Sequence, residues 1–405
     1  MKRVVITGVG AFSPIGHDWP TVKASLRGMR NAIQRIDAWD AYDGLNTRLG
    51  APARPFELPD HSNRKPPATM GRVARMARRA SELALADAGL LGDPFVASGD
   101  MGISYGSSVG SPPAIADFGR MIMDKATEGI TANTYIKMMS HTAAVNIGVF
   151  LGVTGRIVTT SSACAAGSQG IGYAFEAIQS GRQVAMLAGG AEELDAIDAA
   201  VFDTLFATSV RNDQPELTPR PFDVDRDGLV LGEGACTLVL EELEHAKARG
   251  ARILAEVAGY GTNSDGTHVT QPQSRTMARA MQLALDSAGI PASEIGYVNA
   301  HGTATEHGDI AESQATLAVL GDRVPISSLK SYMGHTLGAC GALEAWMSVE
   351  MMREGWFAPN LNLQKTGPGC AELDYIRGGL RELQTEWVMS NNFAFGGINT
   401  SLVLS

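Results

Sequence analysis

The chain repeats itself, and this limits its possible folds more than any other feature. Two segments end alike, Ala84-Leu-Ala-Asp-Ala-Gly-Leu and Ala284-Leu-Asp-Ser-Ala-Gly-Ile. Each reads as a helix closed by a glycine just past its end, where a left-handed backbone is wanted. The echo continues downstream. Residues 157–181 run strand, Ser-Ser, Cys164, glycines and a helix closing at Ser180-Gly181. Residues 325–355 run strand, Ser-Ser, Lys330, His335, glycines and a helix closing at Glu354-Gly355. Leu238-Val-Leu-Glu and Leu402-Val-Leu-Ser supply matching final strands. The duplication predicts a boundary near Gly250, with one half over 1–250 and the other over 251–405. Short apolar runs alternating with helical ones predict an α/β fold with a largely parallel sheet. Strands are expected at 4–7, 101–105, 156–160, 184–188, 235–240, 253–259, 296–300, 324–328, 387–390 and 400–404.

Composition narrows the class. With 405 residues, 44% hydrophobic residues and 46 glycines, the chain can bury a large, tightly packed core. A net charge of −10 makes nucleic acid and anionic membranes poor partners. No apolar run approaches the roughly 18 residues of a membrane span, so no membrane insertion is expected. Met1-Lys-Arg leads straight into the first strand rather than into a signal peptide. The four cysteines show neither CxxC spacing nor a disulfide framework, which predicts a cytoplasmic protein.

Cys164 sits between a strand-like run and a helix of small residues, in Ser161-Ser-Ala-Cys-Ala-Ala-Gly. A sulfur facing the first N–H groups of a helix is favoured as thiolate, so the residue reads as a nucleophile. Cys236, Cys340 and Cys370 lack such surroundings and read as structural. His301, in Asn-Ala-His-Gly-Thr-Ala-Thr, and His335, in Tyr-Met-Gly-His-Thr-Leu-Gly, occupy Gly-rich loops in the second half. One cysteine and two histidines form an acyl-transfer set, assembled where the halves meet. A zinc site is the rival, but no HxxxH or CxxC spacing supports one, and no metal is expected. Glu344 either orients a histidine or Lys330, or is an ordinary helix carboxylate; Asp309 and Glu312 share that ambiguity. The turn at Asn392-Phe-Ala-Phe-Gly-Gly offers a backbone N–H to an oxyanion, or is simply tight. Gly8-Val-Gly10 fails as a dinucleotide motif, because its third glycine arrives only at Gly16. Arg72, Arg75 and Arg79 share a helical face, following Arg64-Lys65, and read as a docking patch for an acidic protein or as a solvated face.

Taken in order, the Cys164 segment, His301-Gly-Thr, Lys330-x4-His335 and the Phe395-Gly-Gly loop resemble the β-ketoacyl-acyl carrier protein synthases over essentially the whole chain. Gly189-Gly-Ala-Glu-Glu and Arg226-Asp-Gly-Leu-Val resemble the type I enzymes in particular. The resemblance implies a thiolase-like fold of five αβαβα layers with internally duplicated halves. It also implies a homodimer, or a heterodimer with a homologous subunit, served by acyl carrier protein. No resident cofactor is implied, since substrates ride on the carrier's phosphopantetheine. By motif, Cys164 resembles the acyl-accepting nucleophile, His301 and His335 the decarboxylating pair, and Lys330 and Glu344 their charged supports. Phe395 resembles the gate, sharing the oxyanion hole with Cys164. Thr303, Thr305 and Thr270 resemble contacts to the phosphopantetheine arm, while Val109 and Phe202 fall where the acyl chain is lined. Arg64 and Lys65 match carrier-docking basics, with Arg72 and Arg75 beside them. The chain departs from the family at Glu306-His307, where proline is usual, at Ala394, where glycine is usual, and at Ile398, where threonine is usual. These departures leave open a specialised polyene or polyketide pathway. The rivals are a non-catalytic chain-length-factor-like partner, which typically lacks the cysteine, and a thiolase, whose second catalytic cysteine is missing from the loop at 391–397.

Overall fold

A computed structural model describes residues 1–57 and 68–405. Ten strands build one large sheet: β1 (Val4–Phe12), β2 (Met101–Gly106), β3 (Ile157–Thr160), β4 (Ala185–Glu192), β5 (Gly234–Glu242), β6 (Ala255–Ser264), β7 (Tyr297–Asn299), β8 (Ile326–Ser327), β9 (Val388–Ala394) and β10 (Ile398–Leu404). They are the ten expected strands, with shifted ends. Their order across the sheet is β8-β7-β9-β10-β6-β1-β5-β4-β2-β3. Within each half the third strand lies at the edge, followed by the second, fourth, fifth and first. The halves therefore share one topology, and they join edge to edge where Val4, Val5 and Ile6 pair with Val257, Glu256 and Ala255.

The expectation of a largely parallel sheet is corrected. Only the outer strands β2–β3, β2–β4, β7–β8 and β7–β9 run parallel. The five central pairings are antiparallel. Strand β10 follows β9 after the turn at 395–397, and so short a link joins only antiparallel neighbours.

Six helices complete the layers: α1 (Arg72–Asp87), α2 (Thr142–Leu151), α3 (Ala166–Gln179), α4 (Ser274–Ala288), α5 (Glu306–Leu320) and α6 (Cys340–Glu354). Helices α3 and α6 are buried nearly all round and pack on each other and on strands of both halves. That is what a helix in a central layer requires. The outer pairs are α1 with α2 and α4 with α5. No helix among the described residues is long and apolar enough to cross a membrane.

The Gly-x-Gly of β1 has a packing role, and β6 repeats it. A Cβ on Gly10 would lie 2.1 Å from the Ala80 carbonyl oxygen of α1, and one on Gly261 would lie 2.1 Å from that of Ala280 on α4. Alanine at either position forces strand and helix apart, which should cost about 1–3 kcal/mol. Thermal melts of Gly10→Ala and Gly261→Ala should show similar losses, because the two contacts are equivalent; unchanged midpoints would contradict this account.

Candidate active site

Strand β3 ends at Thr160, and the chain then turns sharply into α3. Ala163 carries the turn with φ +47°, an uncommon region for a residue with a side chain. A short 3-10 turn at Ala163–Ala165 leads directly into α3 and sets Cys164 at the helix start. The second half repeats the device: Leu337 has φ +44° ahead of α6. The two turns pack against each other, so the duplication brings residues from both halves to one point.

At that point His335 Nε2 lies 2.9 Å from Cys164 Sγ. The Leu337 N–H donates to His335 Nδ1 at 3.2 Å, which leaves the ring proton on Nε2, facing the sulfur. His301 follows β7 and stands edge-on to His335, with ring centroids 5.1 Å apart. Its loop is pinned by Glu312, whose carboxylate accepts the N–H groups of His301 and Gly302, each at 2.7 Å. Asp309 accepts the N–H groups of Phe222 and Ala304. Both acids, ambiguous in sequence, hold loops.

Behind the histidines, Lys330 Nζ and Glu344 Oε1 form a fully buried ion pair at 2.5 Å. The other Glu344 oxygen accepts Asn392 Nδ2 at 2.7 Å and Asn299 Nδ2 at 3.4 Å. Neither asparagine stood out in the sequence, where Asn392 passed as part of a turn. Burial pulls Lys330 down, but the adjacent carboxylate outweighs it and keeps the ammonium above its ordinary pKa. Burial, reinforced by the Lys330 charge, holds both histidines well below the usual imidazole range, so both are neutral. The expected bias toward a thiolate is corrected. Burial pushes the Cys164 thiol up to about 11, against the Phe395 N–H, the Lys330 charge and its own N–H, which pull it down. The resting Cys164 is a neutral thiol.

Cys164, His301 and His335 present their ligand atoms within 4.8 Å of one another, the spacing of a metal trio. Their detailed geometry suits zinc poorly. Tetrahedral ligation would hold sulfur and nitrogen about 3.6 Å apart and needs a bare Nε2. Here the two atoms are 2.9 Å apart and the nitrogen carries its proton.

A cavity of about 450 Å³ opens onto Cys164 and both histidines. Thr270, Thr303 and Thr305 line it, the last two with hydroxyls 2.9 Å apart, as do Phe202 and Phe395, stacked edge to face at 5.9 Å. Gly396 and Gly397 take the left-handed turn of the Phe395 loop, so Ala394 remains in strand geometry without penalty. Val109 lies off this cavity, with its carbonyl bonded to Ser107. Arg72 is exposed on α1, where Glu233 holds its guanidinium through two bonds of 2.6 and 2.8 Å and the Phe56 ring lies against it. Arg78, from the same basic stretch, is buried over Phe150. Arg75 is exposed, while Arg64 and Lys65 lie outside the described residues.

Family models for the N-terminal domain of β-ketoacyl synthase match residues 1–246, and those for its C-terminal domain match 254–364. The 3-oxoacyl-[acyl-carrier-protein] synthase 2 of Synechocystis sp. is 37% identical over 99% of this chain and 97% of its own. A crystallised β-ketoacyl synthase from Burkholderia phymatum is 60% identical and superposes with a TM-score of 0.98, covering 100% of this chain and 99% of that one. A ketosynthase bound to the hexaketide, in complex with its type II PKS acyl-carrier protein, is 28% identical at a TM-score of 0.89, covering 100% and 98%. With the paired domains matched and the duplicated thiolase-like layers in place, the chain belongs to the β-ketoacyl synthase family.

Proposed function

We propose that the Cys164 cavity elongates acyl chains by decarboxylative condensation, as a β-ketoacyl-[acyl carrier protein] synthase; the contact between Cys164 Sγ and His335 Nε2 at 2.9 Å carries the reading. In the first half-reaction the Cys164 sulfur attacks an acyl thioester. The new C–S bond replaces the one to the carrier, whose thiol leaves with the proton Cys164 gives up. In the second, the neutral histidines donate N–H hydrogen bonds to the thioester carbonyl of a malonyl carrier. Its C–CO₂ bond breaks, and the enolate carbon attacks the acyl-Cys164 carbonyl. A C–C bond forms, the C–S bond breaks and the Cys164 sulfur is freed. The N–H groups of Cys164 and Phe395 stabilise the intermediate oxyanion. Both lie close enough to the sulfur to lower its pKa, which supports this assignment.

The threonines suit the phosphopantetheine arm, and acyl carrier protein is the partner that would deliver it. We assign the protein to the cytoplasm as a homodimer, divide it at Gly250 into nucleophile-bearing and histidine-bearing halves, and assign it no resident cofactor. The inactive-partner reading is not favoured, because Cys164, His301 and His335 are all in register. The test is sequential loading with acyl and then malonyl carrier thioesters, followed by intact mass. An adduct on Cys164, discharged as a β-ketoacyl product with CO₂, is expected; absence of an adduct from every acyl donor would refute the proposal. His301→Ala and His335→Ala should each lower condensation by about 10²–10³, the loss typical of one preorganised oxyanion donor. Parent rates in either variant would exclude that role.

A further inference from the structure

The mouth of the Cys164 cavity is rimmed by apolar side chains, and one of them stands on a strained backbone. Helix Ala196–Asp203 ends in a turn at Phe206, whose φ is +53°. The Ala207 N–H donates to the Phe202 carbonyl at 3.0 Å and the Phe206 N–H to the Asp203 carbonyl at 2.9 Å, the pattern of a left-handed helix cap. Glycine usually occupies that position, because a side chain crowds the backbone there. Phe206 gains no packing in return: it lines the cavity yet is 88% exposed. Leu205 and Val269, beside it on the lining, are 44% and 60% exposed. A bulky ring held outward by a strained turn, among other apolar side chains, fits a surface that another molecule covers.

The cavity itself selects the occupant. Its volume of about 450 Å³ admits an acyl arm but no folded protein, so a carrier delivering that arm must rest on the rim. The rim gives an acidic surface little to bind. Among the described residues, Arg226 is the only lysine or arginine lining the cavity, and its side chain is 5% exposed. It is engaged inward, donating to the Asp223 carbonyl at 2.9 Å and facing Asp309 at 3.6 Å. Contact at the mouth therefore falls to the apolar side chains, and a large aromatic ring is the kind of residue that anchors such contacts.

We infer that Phe206, with Leu205 and Val269, forms an apolar docking contact for the acyl carrier protein, selecting carriers that present an apolar patch beside the residue bearing the arm. This rests on the condensing function proposed above. The test uses Phe206→Gly and compares Cys164 acylation from an acyl carrier thioester with that from the matched acyl-pantetheine, which has the same reactive end and no protein. Glycine adopts φ +53° without strain, so the variant should fold with the parent melting temperature. Its kcat/KM for the carrier thioester, relative to acyl-pantetheine, should fall at least about tenfold and mainly through KM, as loss of an aromatic interface anchor does. Phe206→Asn, which also tolerates this backbone but is polar, should lose as much, excluding added flexibility as the cause. An unchanged ratio in either variant overturns the inference. So do equal losses from both donors, which would place Phe206 against the arm instead. A change of oligomeric state in sedimentation velocity would assign the patch to a second copy of the chain and overturn it too. Each of these results leaves the condensing function standing. No adduct from either donor on the wild type would instead overturn that function, and the inference with it.

Discussion

Cys164→Ala should fold, form no acyl-enzyme and lose condensation by on the order of 10⁴-fold or more, as removal of a nucleophile acting with its neighbours does. The thiol is small and buried, so deleting one sulfur leaves the α3 packing nearly intact. What remains unpaired is the Nε2–H of His335, now without its acceptor at 2.9 Å. Both histidines stay neutral and free to bind a thioester carbonyl, because burial and Lys330 depress them independently of Cys164. The variant should therefore still release CO₂ from malonyl carrier thioester while making no β-ketoacyl product. Product analysis beside CO₂ release separates the two. If condensation survives alanine at 164, some other residue is the nucleophile.

How much of this was legible in the sequence varies with the kind of interaction. Apolar runs and glycine caps are local, so all ten strands could be placed from them, and the repeat located the site between the halves. Strand direction depends on how each connection returns, and the alternating pattern carries no sign of it; the antiparallel centre escaped for that reason. Cys164, His301 and His335 could be singled out because each stands in an unusual Gly- or Ala-rich turn. The positive φ at Ala163 and Leu337 is the physical reason those turns exist. For Arg72, a helical face shows charge but not the partner across the fold, here Glu233, 161 residues away. Likewise the thiol's pKa follows from burial by the second half, which no inspection of the Cys164 segment could supply.

The buried ion pair behind the histidines supports the second large prediction. Lys330→Met leaves the buried Glu344 carboxyl without its counter-charge, and Glu344→Gln leaves the buried Lys330 amine without its own. Breaking a buried pair from one side costs about 3–5 kcal/mol. That is a large share of the roughly 5–15 kcal/mol of total stability a folded protein usually has. Both single variants should unfold at clearly lower denaturant, and the double variant Lys330→Met/Glu344→Gln should regain much of the loss, since neither charge is then stranded. Activity should not return with stability. The Lys330 charge is one of the causes lowering both histidine pKa values, so its removal lets them rise toward the ordinary imidazole value. Imidazoles with raised pKa values become protonated at higher pH, and the acid limb of the condensation rate should move upward in the double variant. A stable double variant with the parent pH profile would show that the pair is structural alone. A shifted profile on a restored fold would show that Lys330 keeps the histidines neutral for the reaction.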